Sequence, residues 1–136
     1  MMKSILKLVA VVLFLSAGLG SLQAGDLRKN GSLIGSIDSS GDVRLNGSLV
    51  GRFESSGDVR KNGSLIGRID SNGDIRMNGS LVGSIDSSGD VRKNGSLIGR
   101  IDSNGDVRKN GSLIGSAVGI PRAQAAGFFF FFFLNE

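Results

Sequence analysis

The sixteen residues from Gly57 to Asn72 return letter for letter from Gly89 to Asn104, and near copies begin at Gly25, Gly41, Gly73 and Gly105. Residues 25–120 are therefore six tandem copies of one unit. A piece this short cannot bury an apolar face alone, so the copies must pack on one another. With the unit numbered 1 to 16 from its first glycine, position 2 is always Asp and position 4 always Arg. Positions 6–8 are always Asn-Gly-Ser, position 9 is always Leu and position 11 always Gly.

Asn-Gly between two strand-like runs is the strongest short signal for a type I′ hairpin, because both central residues need positive φ. Six such pairs occur, from Asn30-Gly31 to Asn110-Gly111. A second turn falls at Asp-Ser-Ser-Gly or Asp-Ser-Asn-Gly, as in Asp70-Ser71-Asn72-Gly73, where a type I turn followed by a left-handed glycine suits a three-residue loop. Two turns per unit predict about twelve short antiparallel strands in a meander.

The Asn-Gly turn sets position 3 opposite position 10, and the second turn sets position 13 opposite position 3 of the next unit. Cross-strand partners share a face, yet positions 10 and 13 have opposite parity along one strand. A bulge or corner at the intervening glycine, Gly35, Gly51, Gly67, Gly83, Gly99 or Gly115, reconciles the two. Leu45 and Met77 replace Lys at position 5 in the two copies that carry Val50 and Val82 at position 10, which suggests that 5 and 10 share volume. Positions 3, 9, 10 and 13 are the expected core. That core is aliphatic and small, so nearly all backbone groups must be paired and open sheet edges are unfavourable. Ring closure, or a cover from the tail, meets this better than an open stack.

The recurring Gly-Asp-Val-Arg-Lys-Asn-Gly-Ser-Leu-Ile-Gly unit, behind a leader, resembles the bacterial β-flower repeat proteins. In these, four or five short hairpin petals stand radially about an axis. The resemblance implies an all-β fold, six β-hairpin repeats in a radial flower or closed meander, followed by a short apolar C-terminal segment. It implies no enzymatic activity and supplies no functional residues.

At the front, Lys3 and Lys7 precede the apolar run Leu8–Leu15, and Ala24 ends the stretch just before the first repeat. That is the order of a secretory signal peptide. The run is shorter than the roughly 20 residues needed to span a bilayer. The expected organisation is a signal peptide over 1–24, a six-repeat domain over 25–120 and a tail over 121–136. The product is exported through the Sec route to periplasm, cell surface or medium. In the tail, Phe128–Phe133 and Leu134 are apolar on every face. They fill the axis or cover an edge of the repeats, offer a membrane or protein-docking tag, or stay disordered and open to steric-zipper aggregation. A homo-oligomer is a further reading.

The net charge of +4 falls to +2 without Lys3 and Lys7, and signs alternate through each repeat, so nucleic acid is not indicated. The chain has no Cys, His, Trp or Tyr, so disulfides, the usual general base and stacking platforms are missing. The arginines at position 4 (Arg28, Arg44, Arg60, Arg76, Arg92 and Arg108) could ring an anion. With the aspartates two residues earlier, they read better as an Asp–Arg ladder that keeps sheet edges soluble. Asp70–Asp74 and Asp102–Asp106 faintly resemble calcium loops, but the D-x-[DN]-x-[DN]-G spacing is absent and turn chemistry accounts for them. No catalytic, cofactor-binding or metal-ligating residue is assigned. The expectation is a non-catalytic structural or interaction module of the bacterial envelope or secretome. The alternatives are a small-ligand or Ca2+-binding repeat protein, or an adhesin-like β-roll.

Overall fold

The computed structural model describes residues 25–134; the expected signal peptide lies outside the described residues. Twelve strands follow in order: β1 (Gly25–Lys29), β2 (Ser32–Ile37), β3 (Asp42–Leu45), β4 (Ser48–Phe53), β5 (Asp58–Lys61) and β6 (Ser64–Ile69). They continue as β7 (Asp74–Met77), β8 (Ser80–Ile85), β9 (Asp90–Lys93), β10 (Ser96–Ile101), β11 (Asp106–Lys109) and β12 (Ser112–Ser116). A short α-helix, α1 (Arg122–Ala126), runs into a π-helical segment, Gly127–Phe132.

Each strand pairs antiparallel with the next, and β12 pairs with β1 through Gly115–Lys29 and Ser116–Arg28. The sheet is a closed barrel with no free edge. Ring closure is thus the outcome, and the amide of Asn30 donates to the Ile114 carbonyl just as that of Asn46 does to Ile34. Both turns form as their residues require. Every Asn of the Asn-Gly pairs has φ of 50–51°, and each following Gly is positive too. In the second turn the Gly73 amide closes on the Asp70 carbonyl at 2.9 Å, and Gly73 sits at φ 96°.

The register within each hairpin differs from expectation by one residue. Val59 faces Gly67, Arg60 faces Leu65, and Ile66 at position 10 is left between them as a bulge. All six hairpins repeat this shift. The parity conflict is real, but the extra residue is position 10 rather than the glycine. Its effect is to turn the strand over. Beyond the bulge, position 13 faces position 3 of the next unit, as Ile69 faces Ile75. Before it, the leucine at position 9 points outward opposite the arginine at position 4. Leu45 lies opposite Ser48 and Gly35, and the register that the 5/10 covariation was taken to support, position 3 opposite position 10, is not the one formed.

The core follows. All six position-3 residues (Leu27, Val43, Val59, Ile75, Val91, Val107) are fully enclosed. The position-9 leucines, expected inside, are 53–56% exposed. What fills the space instead is the tail. Phe128–Phe133 are all buried inside the barrel, which removes them as an exposed membrane or docking tag.

The tail is matched to the repeat. A Cβ placed on Gly51 would strike the ring of Phe133; on Gly67, that of Phe132; on Gly83, Phe131; on Gly99, Phe130; and on Gly115, Phe129. Five consecutive phenylalanines therefore visit five consecutive repeats, in reverse order. Phe128 stacks on Phe133 at 5.8 Å and meets Phe129 edge-on at 5.1 Å, closing the circle. Stepping one repeat per residue needs a turn of roughly 60°, whereas an α-helix turns about 100°. The wider i→i+5 helix moves the turn per residue in that direction. The amide of Phe133 returns to the Phe128 carbonyl, and the Leu134 amide reaches the same carbonyl at 3.1 Å. The last repeat departs from pattern because the chain must cross the barrel end to re-enter it. Ala117 replaces the bulkier position-13 residue, Ile120 packs on Gly25, and Arg122 donates to the Ser87 carbonyl at 3.0 Å.

Candidate functional site

With the interior filled by the chain itself, the surface available for function is the outside of the wall. Between adjacent hairpins lie open grooves of about 300 to 450 Å³ with recurring walls. The groove after the third hairpin is lined by Asp58, Leu65, Ile66, Gly67 and Arg68, with Arg76, Asn78 and Gly79 across it. The same positions line the grooves of the first, second, fourth and fifth hairpins, with position 12 varying between Arg and Ser. The bulge makes these grooves, because it sends the leucine at position 9 outward while position 10 turns half-inward.

Charged side chains on this wall are engaged with one another. Where position 12 is Arg, it bonds to the position-2 aspartate of its own unit: Arg52 to Asp42 at 3.1 Å, Arg68 to Asp58 at 2.9 Å and Arg100 to Asp90 at 2.7 Å. In the third, fourth and sixth copies the arginine at position 4 reaches back to the acid at position 14 of the preceding unit, Arg60 to Glu54 at 2.8 Å, Arg76 to Asp70 at 3.2 Å and Arg108 to Asp102 at 3.0 Å. An Asp–Arg ladder is therefore present, but it runs chiefly across strands, on a barrel with no edge to protect. Same-strand contacts are long, as in Arg28–Asp26 at 3.8 Å. The position-4 arginines face the outer wall and form no inward ring.

The turn varies with positions 12 and 16 together, Ser and Ser in one form and Arg and Asn in the other. With Ser36 or Ser84 at position 12, the acid folds onto its own loop. Asp38 accepts from the Ser40 hydroxyl at 2.6 Å and from the amides of Ser40 and Asp42, and Asp86 repeats this with Ser88 and Asp90. With Arg68 or Arg100 there, Asp70 and Asp102 swing out between two guanidiniums, and Asn72 and Asn104 cap the loop instead, accepting from the Asp74 and Asp106 amides. The residues that resembled calcium loops are thus committed to arginines and to turn amides. Among the described residues, no group of three or more acidic side chains is placed to hold a metal.

These bonds favour the ionised acids. The Ser40 hydroxyl holds the Asp38 carboxyl below its usual range, with the Asp42 and Ser40 amides adding to the effect. The Ser88 hydroxyl does the same for Asp86. The guanidiniums of Arg76 and Arg68 lower Asp70, and those of Arg108 and Arg100 lower Asp102. A carboxyl lowered in the folded state contributes stability above its unfolded pKa and loses it as pH falls through the folded value. The melting temperature is expected to be flat from neutrality down to about pH 4 and to fall below that. Asp70→Asn should shrink that acid-induced fall, as read by circular dichroism at pH 7 and at pH 3.

The six exposed leucines (Leu33, Leu49, Leu65, Leu81, Leu97 and Leu113) were missed from sequence because apolar residues are placed inside by default. A signal for them existed. Positions 5 to 11 contain no acidic residue in any copy, which marks one end of each hairpin as different from the other.

Among the described residues, no helix is long and apolar enough to cross a membrane. The strands, four to six residues long, are shorter than the roughly 9–11 residues of a bilayer-spanning strand. Neither a curated protein nor a solved structure shows significant similarity to the chain. The sequence pattern described as "5-fold beta-flower protein" matches residues 24–133, which takes in all six hairpins and the phenylalanine run. The barrel described above, hairpins repeated about an axis and closed on themselves, is what that description calls for, here with six petals: the chain belongs to the 5-fold β-flower protein family.

Proposed function

We propose that this chain is an exported, non-catalytic interaction module of a bacterial envelope or secretome, a rigid ring that presents the same outer groove several times over. The observation that carries the reading is the contrast between inside and outside. Ligand sites are commonly concave, apolar and built from a few convergent polar groups at one place. In this barrel the axis is packed with phenylalanine, and each polar grouping on the wall recurs from hairpin to hairpin. Recurrence without a unique centre suits binding by many equal contacts. Acid–base work, by contrast, needs one set of groups with separated roles.

Export is tested by expressing the full chain in a bacterium and measuring the mass of the protein in the periplasm and medium. Loss of residues 1–24 from the recovered protein supports the reading; an intact leader retained in the cytoplasm overturns it. The ion-binding alternative is tested separately. With Asp70 and Asp102 held by arginines, millimolar calcium is expected to leave the melting temperature unchanged. A calcium-dependent rise would favour a cation-binding repeat protein instead.

A further inference from the structure

On the outer wall, three positions stand side by side across neighbouring strands: position 2, position 12 of the same hairpin and position 4 of the next. The register sets Asp58 opposite Arg68 and Arg68 opposite Arg76. In the fourth hairpin it sets Asp74 opposite Ser84 and Ser84 opposite Arg92. Cross-strand partners share a face. In the third hairpin the charges alternate without a break. Asp58, Arg68, Asp70 and Arg76 follow one another, joined by bonds of 2.9, 3.0 and 3.2 Å. The fourth hairpin lacks the two middle members. Ser84 stands where the guanidinium would be, and Asp86 has turned back onto the Ser88 hydroxyl and the Asp90 amide. A carboxylate, a gap and a guanidinium remain. Among the described residues, Arg92 has no carboxylate oxygen within 4.0 Å, and Asp86 acts on it only through space. The Asp74 carboxylate accepts only from the Asn72 side-chain amide, at 3.3 Å. Ser36 and Ser116 hold the same place in the first and sixth hairpins, but there the acid already has an ion contact, Asp26 with Arg28 at 3.8 Å and Asp106 with Arg108 at 4.0 Å. The groove's shape recurs around the ring; charges open at both ends of the row do not.

We propose that the groove of the fourth hairpin receives a segment of a partner protein that inserts an arginine and a carboxylate side by side, as Arg68 and Asp70 stand in the third. The partner's guanidinium meets Asp74 and its carboxylate meets Arg92. Charge complementarity selects this occupant. A lone anion is opposed by Asp74 and a lone cation by Arg92, whereas a pair suits both. The backbones of Asp74 and Arg92 are two strand spacings apart, about 10 Å, the same span that holds the pair in the third hairpin. An extended segment with Arg and an acid two residues apart presents both on one face. Exposed ion pairs contribute little individually. Leu81, 54% exposed on the groove wall, supplies apolar area for the segment to cover, and the charges set its register.

This proposal rests on the reading of the chain as an interaction module, and its test is separate from the export assay. An exported protein that ignores the probe keeps that reading and loses this one. The probe is the peptide Gly-Arg-Ile-Asp-Ser-amide, the order found at 67–71, carrying a neutral dye at its N-terminus. Binding to the full-length protein is read by fluorescence anisotropy. Ser84→Arg supplies the missing guanidinium from within, and Arg52 beside Ser56 shows that the repeat accepts Arg at position 12 with Ser at position 16. That variant should melt as the wild type does and bind the peptide at least about tenfold more weakly. Ser36→Arg, in the first hairpin, should leave binding unchanged. Asp74→Asn should weaken the arginine peptide severalfold and leave its counterpart with glutamine for arginine unaffected, the sign of a direct contact. No binding at millimolar peptide, equal binding by the Ser84→Arg protein, or equal losses for both peptides on Asp74→Asn overturns the proposal. Self-association of the wild type that Ser84→Arg abolishes, without peptide binding, puts a second copy in the groove and overturns it too.

Discussion

Replacing Phe129 and Phe132 together with Ala is expected to abolish cooperative unfolding of the barrel, as followed by far-ultraviolet circular dichroism during a thermal scan. Each ring is nearly fully enclosed and each lies against a different hairpin, Phe129 at Gly115 and Phe132 at Gly67. A buried Phe→Ala change costs about 3–5 kcal/mol, so two distant ones together cost roughly 6–10 kcal/mol. That is comparable to the entire stability of an ordinary domain. Removing Gly127–Glu136 should have the same result more severely, because the aliphatic ring at position 3 would then surround an empty axis. The alternative outcome is clear. A deletion protein that stays soluble and melts cooperatively near the wild-type temperature would mean that the hairpins carry the fold and the tail merely occupies it.

The second large effect concerns one glycine. Gly67→Val is expected to destabilise the barrel by several kcal/mol, more than ordinary overpacking at about 1–3 kcal/mol. The added Cβ would press on the Phe132 ring at 2.5 Å and on the backbone carbonyl of Arg76, which cannot move without opening the ladder. Gly63, four residues away in the turn, makes the contrast. Nothing lies within 4 Å of its missing Cβ, and only its φ of +85° resists a side chain. Gly63→Ala should therefore cost only about 1–2 kcal/mol, the strain of a left-handed L-residue. Chemical denaturation of the two variants tests the order. Pairing Gly67→Ala with Phe132→Ala should cost less than the sum of the single changes, because the smaller side chain relieves part of the clash. Strict additivity would show that ring and glycine do not share the space.

The same glycine shows where reading the letters stopped short. Its invariance at position 11 is visible in every copy, and a corner there is a sound local explanation. The actual constraints are the Arg76 carbonyl on the neighbouring strand, a contact that Gly35 repeats with Arg44, and the Phe132 ring, far along the chain, which no local rule can connect to it. The exposed leucines failed for a related reason. Parity along a strand decides which side a residue faces, and one bulged residue at Ile66 reverses that parity for Leu65. A bulge leaves no mark in a repeat whose every copy carries it. The candidate surface was accordingly legible only in its charge pattern, the missing acids of positions 5 to 11, and not in its shape.

Turn chemistry was local and therefore written in the chain. Asn-Gly and Asp-Ser-Ser-Gly each restrict a handful of backbone angles by sterics and short hydrogen bonds, and those alone set twelve strands and their order. Whether twelve strands close, and on what, depends on distances summed over the whole ring. Six hairpins leave an axis wide enough for a helix only if that helix unwinds to place one ring per petal. That fit belongs to the assembled barrel, because it is decided by volume rather than by any neighbouring pair of residues.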